Sequence, residues 1–93
     1  MRLRLEWDAG KAALNLAKHG VDFEEAGTVL GDPLSQSVID EGHSTAEETR
    51  YIAVGYSIRH RLLLVVYCER EDRFRIISAR PATRGERDRY EKK

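Results

Sequence analysis

A single cysteine, Cys68, rules out an intrachain disulfide and any metal site built from several thiolates. It lies in an apolar, strand-like run, where a buried and inert thiol is expected. No apolar run approaches the roughly 20 residues of a membrane span. The opening MRLRLEWD lacks the apolar core of a signal peptide. A cytoplasmic protein without membrane association is therefore the expectation. The histidines, His19, His43 and His60, lack close metal-ligand spacing, so no metal is expected. There is no glycine-rich phosphate loop and no nucleophilic serine motif, and no cofactor is expected. Repeats, linkers and low-complexity tracts are absent too. Residues 1–93 leave room for one domain and one core, and so small a domain leaves much of its surface in water.

What the chain has in quantity is charge, 34% of its residues, summing to a formal net charge of zero. The distribution is uneven. Residues 1–58 carry five Lys and Arg against ten Asp and Glu; residues 59–93 carry eleven against six. Such asymmetry predicts either one basic and one acidic face, suited to a nucleic-acid partner, or a mixed charge coat that merely solvates a small domain.

Residues 61–90, RLLLVVYCEREDRFRIISARPATRGERDRY, organise the rest. Two apolar runs, 62–68 and 74–79, read as adjacent central strands joined by the charged connection 69–72. Before them, Leu3, Leu5 and Trp7 alternate with polar residues as a short half-buried strand. Asp8 stands at a helix N-cap, and Gly20 at a left-handed C-terminus. Between them Ala9, Ala12, Ala13, Leu16 and Ala17 form the expected packing face, with Lys11, Asn15 and Lys18 opposite. Asp22 and Glu25 have capping-box spacing for a second helix with Phe23, Ala26, Gly27 and Leu30 as its apolar stripe. Gly31-Asp32-Pro33 is a stop and turn. Residues 34–40 form a weak strand, 41–49 a mobile polar loop, and 50–57 an alternating strand. Thr83 and Glu86 make a capping box for a last helix with almost no apolar face, anchored by Tyr90. The order βααββββα predicts an α+β fold: an antiparallel sheet of about five strands with a helix hairpin on one face.

EWDAGKAALNLAKHGVDFEEA, a GDP turn, RLLLVVYCER and RIISARPATRGERDRY, in that order, resemble the BrnT family of type II toxins. The resemblance covers residues 7–90. It implies a RelE-like fold and a ribonuclease that arrests translation. It also implies a cognate ribbon-helix-helix antitoxin, BrnA-like, that neutralises the toxin. Together they would repress their operon on operator DNA, with a toxin dimer inside a heterotetramer as one arrangement. Two positions depart from the family pattern: His60, where glycine is usual, and Pro81, where a basic residue is common.

Metal-free RNA cleavage needs a group to move the 2′-hydroxyl proton and a cation at the phosphoryl oxygens. Arginine suits the second task, because its planar fork grips phosphate and it stays charged. Arg80, ending a strand and restricted by Pro81, is the first candidate; a salt bridge to Glu69 or Glu86 is its other reading. Arg61 opens the neighbouring strand and is placed to approach Arg80 at one sheet edge, or else to face solvent. His19 is the proton-transfer candidate, or a cation favouring the negative end of its helix; the resemblance favours the first. Tyr67 is either a stacking or phosphate-positioning aromatic or a core residue. Lys18, Arg59, Arg84 and Arg87 are the candidate RNA contacts. His43 reads as a solvated loop residue. Two alternatives stand beside the endoribonuclease: a non-catalytic RNA- or ribosome-binding module, and a structural partner of a DNA-binding repressor.

Overall fold

The structure is a computed structural model whose residues 3–92 are described. Its elements are β1 (Leu5–Glu6), α1 (Ala9–His19), α2 (Phe23–Leu30), β2 (Gln36–Ile39), β3 (Arg50–Tyr56), β4 (Leu62–Arg70), β5 (Arg73–Pro81) and α3 (Arg84–Glu91). This is the expected element order. The five strands form one sheet in the order β1-β5-β4-β3-β2. From β2 to β5 it is the expected antiparallel meander. A wholly antiparallel sheet, however, is not what forms. β1 pairs with β5 in parallel, Leu5 beside Phe74 and Glu6 beside Arg75. These two strands are far apart in sequence and are not joined by a hairpin turn, so antiparallel pairing is not imposed on them. None of the described helices is long and apolar enough to cross a membrane.

The helix hairpin covers one face of the sheet. Val21, Phe23, Ala26 and Val29 pack there against Ala53, Leu63, Val65, Tyr67, Ile76 and Ala79 to form the core. Gly27 permits the close approach, since a Cβ there would stand 2.3 Å from the Leu5 side chain. Ile52, Val54, Leu64 and Val66 point to the other, open face, as the β3–β4 register and the alternation of side chains require.

Strict alternation fails once, in β5. The sequence pattern puts Phe74, Ile76 and Ser78 on one face, which would also take Arg80. In the structure Tyr67 pairs with Ile76 but Val66 pairs with Ser78, leaving Ile77 as the extra residue of a β-bulge. The bulge moves Ala79 into the core in place of Ser78 and turns Arg80 to the open face, opposite Leu64.

The expected packing face of α1 is also corrected. Ala9, Ala13, Leu16 and Ala17 are exposed, and Leu16 is 51% exposed. Ala12, Asn15 and His19 face the protein instead, with Asn15 only 7% exposed. β1 ends at Glu6, so β5 beyond Arg75 has no outer strand to satisfy its backbone. Asn15 replaces one. Its carboxamide nitrogen donates to the Ala79 carbonyl at 2.8 Å and its oxygen accepts from the Ala79 N–H at 3.0 Å. The same nitrogen donates to the Val21 carbonyl at 2.9 Å. A buried backbone group left unpaired costs about 1–3 kcal/mol, so a polar side chain is better here than an apolar one.

Two tight connections carry non-glycine residues in the left-handed region: His60 at φ 63° and Glu71 at φ 54°. His60 closes the β3–β4 turn, its N–H donating to the Ser57 carbonyl at 2.9 Å.

His60→Gly should raise stability by about 0.5–1 kcal/mol, the left-handed strain relieved less the added freedom of the unfolded chain. A thermal midpoint a few degrees higher is the expected reading. Asn15→Leu, despite its similar size, should lower stability by about 2–5 kcal/mol in urea denaturation, because two buried backbone groups of Ala79 lose their partners.

Candidate nucleic-acid interface

α3 begins where β5 ends, and the link between them is a carboxylate. Thr83 caps α3: its hydroxyl accepts from the Glu86 N–H at 3.2 Å while Glu86 Oε1 accepts from the Thr83 N–H at 2.8 Å. The same carboxylate takes the whole fork of Arg80, Nη1 to Oε1 and Nη2 to Oε2, each at 2.8 Å. Arg80 and the Thr83 N–H together pull the Glu86 carboxyl down to about 2. The guanidinium is raised in turn and stays protonated. The pair is only half-shielded, with Arg80 40% and Glu86 20% exposed at the side chain. Of the readings for Arg80, the ion pair with Glu86 is present.

His19 is the last residue of α1, before Gly20 at φ 69°, whose N–H donates to the Leu16 carbonyl at 2.9 Å. The Asn15 anchor holds this helix end against the free edge of β5. His19 and Arg80 thereby line one cavity of about 100 Å³, with Ser78 and Ala79 beside them and Ile52, Leu64 and Val66 as its floor. Ile52 and Leu64 also line the adjacent, larger cavity of about 380 Å³, bounded by Gln36, Val38 and Val54 and, from α3, by Glu86, Arg89 and Tyr90. The open sheet face is thus an apolar floor with polar and basic walls. α3 stands over it with no buried residue of its own. The Tyr90 hydroxyl donates to the Leu34 carbonyl at 3.0 Å, and the Tyr90 ring meets Tyr56 edge-on at 6.0 Å.

Arg61 lies elsewhere. From the helical face its Nε donates to Glu25 Oε2 at 2.9 Å, and its Nη2 donates to Glu25 Oε1 and, at 3.0 Å, to the Gly20 carbonyl. Glu25 is 3% exposed and also accepts from the Ser57 hydroxyl at 2.7 Å. Its carboxyl is lowered by Arg61 first, against the opposing effect of burial, and by Ser57. Although the start of β4 and the end of β5 do adjoin, Arg61 and Arg80 occupy opposite faces of the sheet, so the expected meeting of their side chains does not occur. Tyr67 is a core residue, 8% exposed. It is stacked on Tyr51 at 5.3 Å and bonded through its hydroxyl to Ser37 Oγ at 3.1 Å, which leaves no ring face for a base.

Lys18 is exposed near the end of α1, Arg59 at the tip of the β3–β4 turn, and Arg84 on the first turn of α3. Arg87 pairs with Glu91 at 3.8 Å and donates to the Tyr56 hydroxyl at 3.4 Å. The charge asymmetry does not separate into two faces. Arg61, Arg70, Arg73 and Arg75 from the basic half pair with Glu25, Glu48 and Glu6 from the acidic half. Sequence reasoning missed Ser78 at the site, because period-two alternation hides a bulge. It also missed Arg89, which the helical repeat of α3 places one turn beyond Glu86 and beside Tyr90.

The family model described as "Ribonuclease toxin, BrnT, of type II toxin-antitoxin system" matches residues 7–86. The fold is similar to the crystal structure of the Brucella abortus ribonuclease toxin, BrnT, with a TM-score of 0.67 and 23% sequence identity over 89% of this chain and 100% of that one. No curated protein matches the sequence.

Acid should act through the carboxylates that arginine holds ionised. Glu86 lies near 2 in the folded chain against an ordinary 4.5, so its contribution is complete above about pH 4.5 and is lost as pH falls towards about 2. Glu25 is shifted in the same direction and adds to the loss. Urea midpoints measured from pH 7 to pH 2 should fall across that window, and less steeply in Glu86→Gln.

Proposed function

Because the chain belongs to the BrnT family of ribonuclease toxins of type II toxin–antitoxin systems, we propose that it is a metal-independent endoribonuclease acting through Arg80 and His19 on the open sheet face. The observation that carries this reading is the shared cavity: a fork-shaped cation and an imidazole line one recess, above an apolar floor. The 2′-hydroxyl of the substrate attacks the adjacent phosphorus, and the bond to the 5′-oxygen breaks. The products are a 2′,3′-cyclic phosphate and a 5′-hydroxyl. Negative charge grows on the phosphoryl oxygens, where the Arg80 fork binds it. One proton leaves the 2′-hydroxyl and one reaches the departing 5′-oxygen; His19 is the side chain in the recess suited to such a transfer.

Arg61 serves as a positioning residue. Its bond to the Gly20 carbonyl fastens the chain immediately after His19. Arg84, Arg87 and Arg89 supply cations from α3, Lys18 and Arg59 are exposed cations away from the recess, Arg59 lying beside Glu24 and Glu25 of α2, and Tyr67 serves the core beneath. In cells this activity halts translation. A type II toxin has an antitoxin partner. A ribbon-helix-helix antitoxin that shields the open face and carries the complex to operator DNA, as a heterotetramer, fits the reading. A cytoplasmic site of action follows from an RNA target.

Arg80→Ala should cut RNA about 10²–10³ times more slowly, at a stability cost of about 1 kcal/mol or less for a half-exposed pair. His19→Ala should lose rate without loss of folded protein, and the wild-type pH–rate profile should carry a histidine-like limb. Cleavage rate, product ends and thermal midpoint are measured together. Wild-type cleavage by Arg80→Ala sinks the proposal. Intact RNA that is nevertheless bound by the wild-type protein makes the chain a binding module instead.

A further inference from the structure

We propose that Glu86 is a built-in competitor for the phosphate seat of Arg80, and that an RNA phosphate binds by displacing its carboxylate. This rests on the reading of Arg80 as the phosphate contact. The seat is defined by its donors. Nη1 and Nη2 of Arg80 and the N–H of Thr83 converge on two carboxylate oxygens, all three at 2.8 Å. Two oxygens on a planar fork is also the arrangement by which arginine binds a phosphodiester, so carboxylate and phosphate require the same atoms in the same place. Both cannot occupy it. In the pair Glu86 is an anion, because Arg80 and the Thr83 N–H hold its carboxyl far below the ordinary range, so a phosphate entering the seat must displace a charge.

The occupant is also free to leave. Glu86 sits in the first turn of α3, a helix that buries no residue. When the carboxylate swings away, the Glu86 N–H keeps its bond to the Thr83 hydroxyl at 3.2 Å, so the N-cap survives. The other two-pronged pair, Arg61 with Glu25, has no such freedom, because Glu25 is 3% exposed and tied to Ser57 as well. Of the two, only the Arg80 seat opens to a polyanion. With Glu86 displaced, a phosphate meets three donors already aimed at one point, and the apolar floor of Leu64, Val54 and Ile52 lies alongside. The internal anion therefore sets how strong and how close an RNA contact must be before the seat opens, and it disfavours small, singly held anions against a strand gripped at several phosphates.

The test is equilibrium binding of a short single-stranded RNA carrying 2′-O-methyl groups, which blocks cleavage, to the full chain at fixed low salt. Glu86→Gln keeps an oxygen for the Thr83 N–H but removes the charge, and should tighten binding on the order of tenfold. The gain should vanish when Arg80→Ala is added. Thr83→Ala loosens the cap while leaving the carboxylate on Arg80, and should not tighten binding. If Thr83→Ala tightens binding as much as Glu86→Gln, mobility of α3 rather than charge is responsible and the proposal is overturned. If Glu86→Gln binds no better than wild type while Arg80→Ala binds weakly, the competitor is overturned and the phosphate seat stands. Wild-type affinity in Arg80→Ala overturns the seat and the competitor together.

Discussion

The fold depends on how the outer edge of β5 is closed. β1 supplies only two residues, Leu5 and Glu6, and the edge beyond Arg75 is left to a side chain. Asn15 meets the N–H and C=O of Ala79 as a neighbouring strand would, in a place where water is excluded. That bond pattern tolerates little rotation of α1. With Asn15 turned inward, Ala12 and His19 must also face the protein, while Leu14 and Leu16 are left 73% and 51% exposed. The position of His19 beside Ser78 and Arg80 thus follows from satisfying two backbone groups.

Two arginine–glutamate pairs are both two-pronged, through Nε and Nη2 of Arg61 and through Nη1 and Nη2 of Arg80, and differ in consequence. Arg61 grips Glu25 beneath the β3–β4 turn, where the carboxylate is 3% exposed and also accepts from Ser57. Separating such a pair strands a buried charge and costs about 3–5 kcal/mol, so it acts as a fastening. Arg80 grips Glu86 at the open face, where water reaches both partners and the net worth is about 0–1 kcal/mol. Burial, rather than bond length or residue type, separates the shielded pair from the one that water reaches. The same reasoning redistributes the basic half of the chain: Arg70, Arg73 and Arg75 join distant segments to one another.

α3 itself is held by polar contacts at its ends, Thr83 and Glu86 at one and Tyr90 and Glu91 at the other. A helix of this composition gains little from burial, so its position is set by what those few groups find. It overhangs an apolar floor without filling it, leaving a recess of about 380 Å³ between polar walls.

The amino-acid sequence by itself determined the element order, both helix N-caps at Asp8 and Asp22, the capping box at Thr83 and the antiparallel meander of residues 36–81. Each of these follows from local chemistry: an oxygen within reach of the next turn's N–H, or a short connection between apolar runs. His19, Arg80 and Glu86 were all visible as residues of interest. Their arrangement was not. Only the tertiary structure decided that β1 runs parallel to β5, that Asn15 rather than the alanine stripe faces inward, that Arg61 and Tyr67 lie on the helical side, and that the bulge at Ile77 turns Arg80 to the open face. Each of these depends on residues 30 or more positions away, or on one extra residue that breaks a period of two. Local periodicity records which way a side chain points only while the ladder stays regular, and it carries no record of which distant backbone group will need a partner.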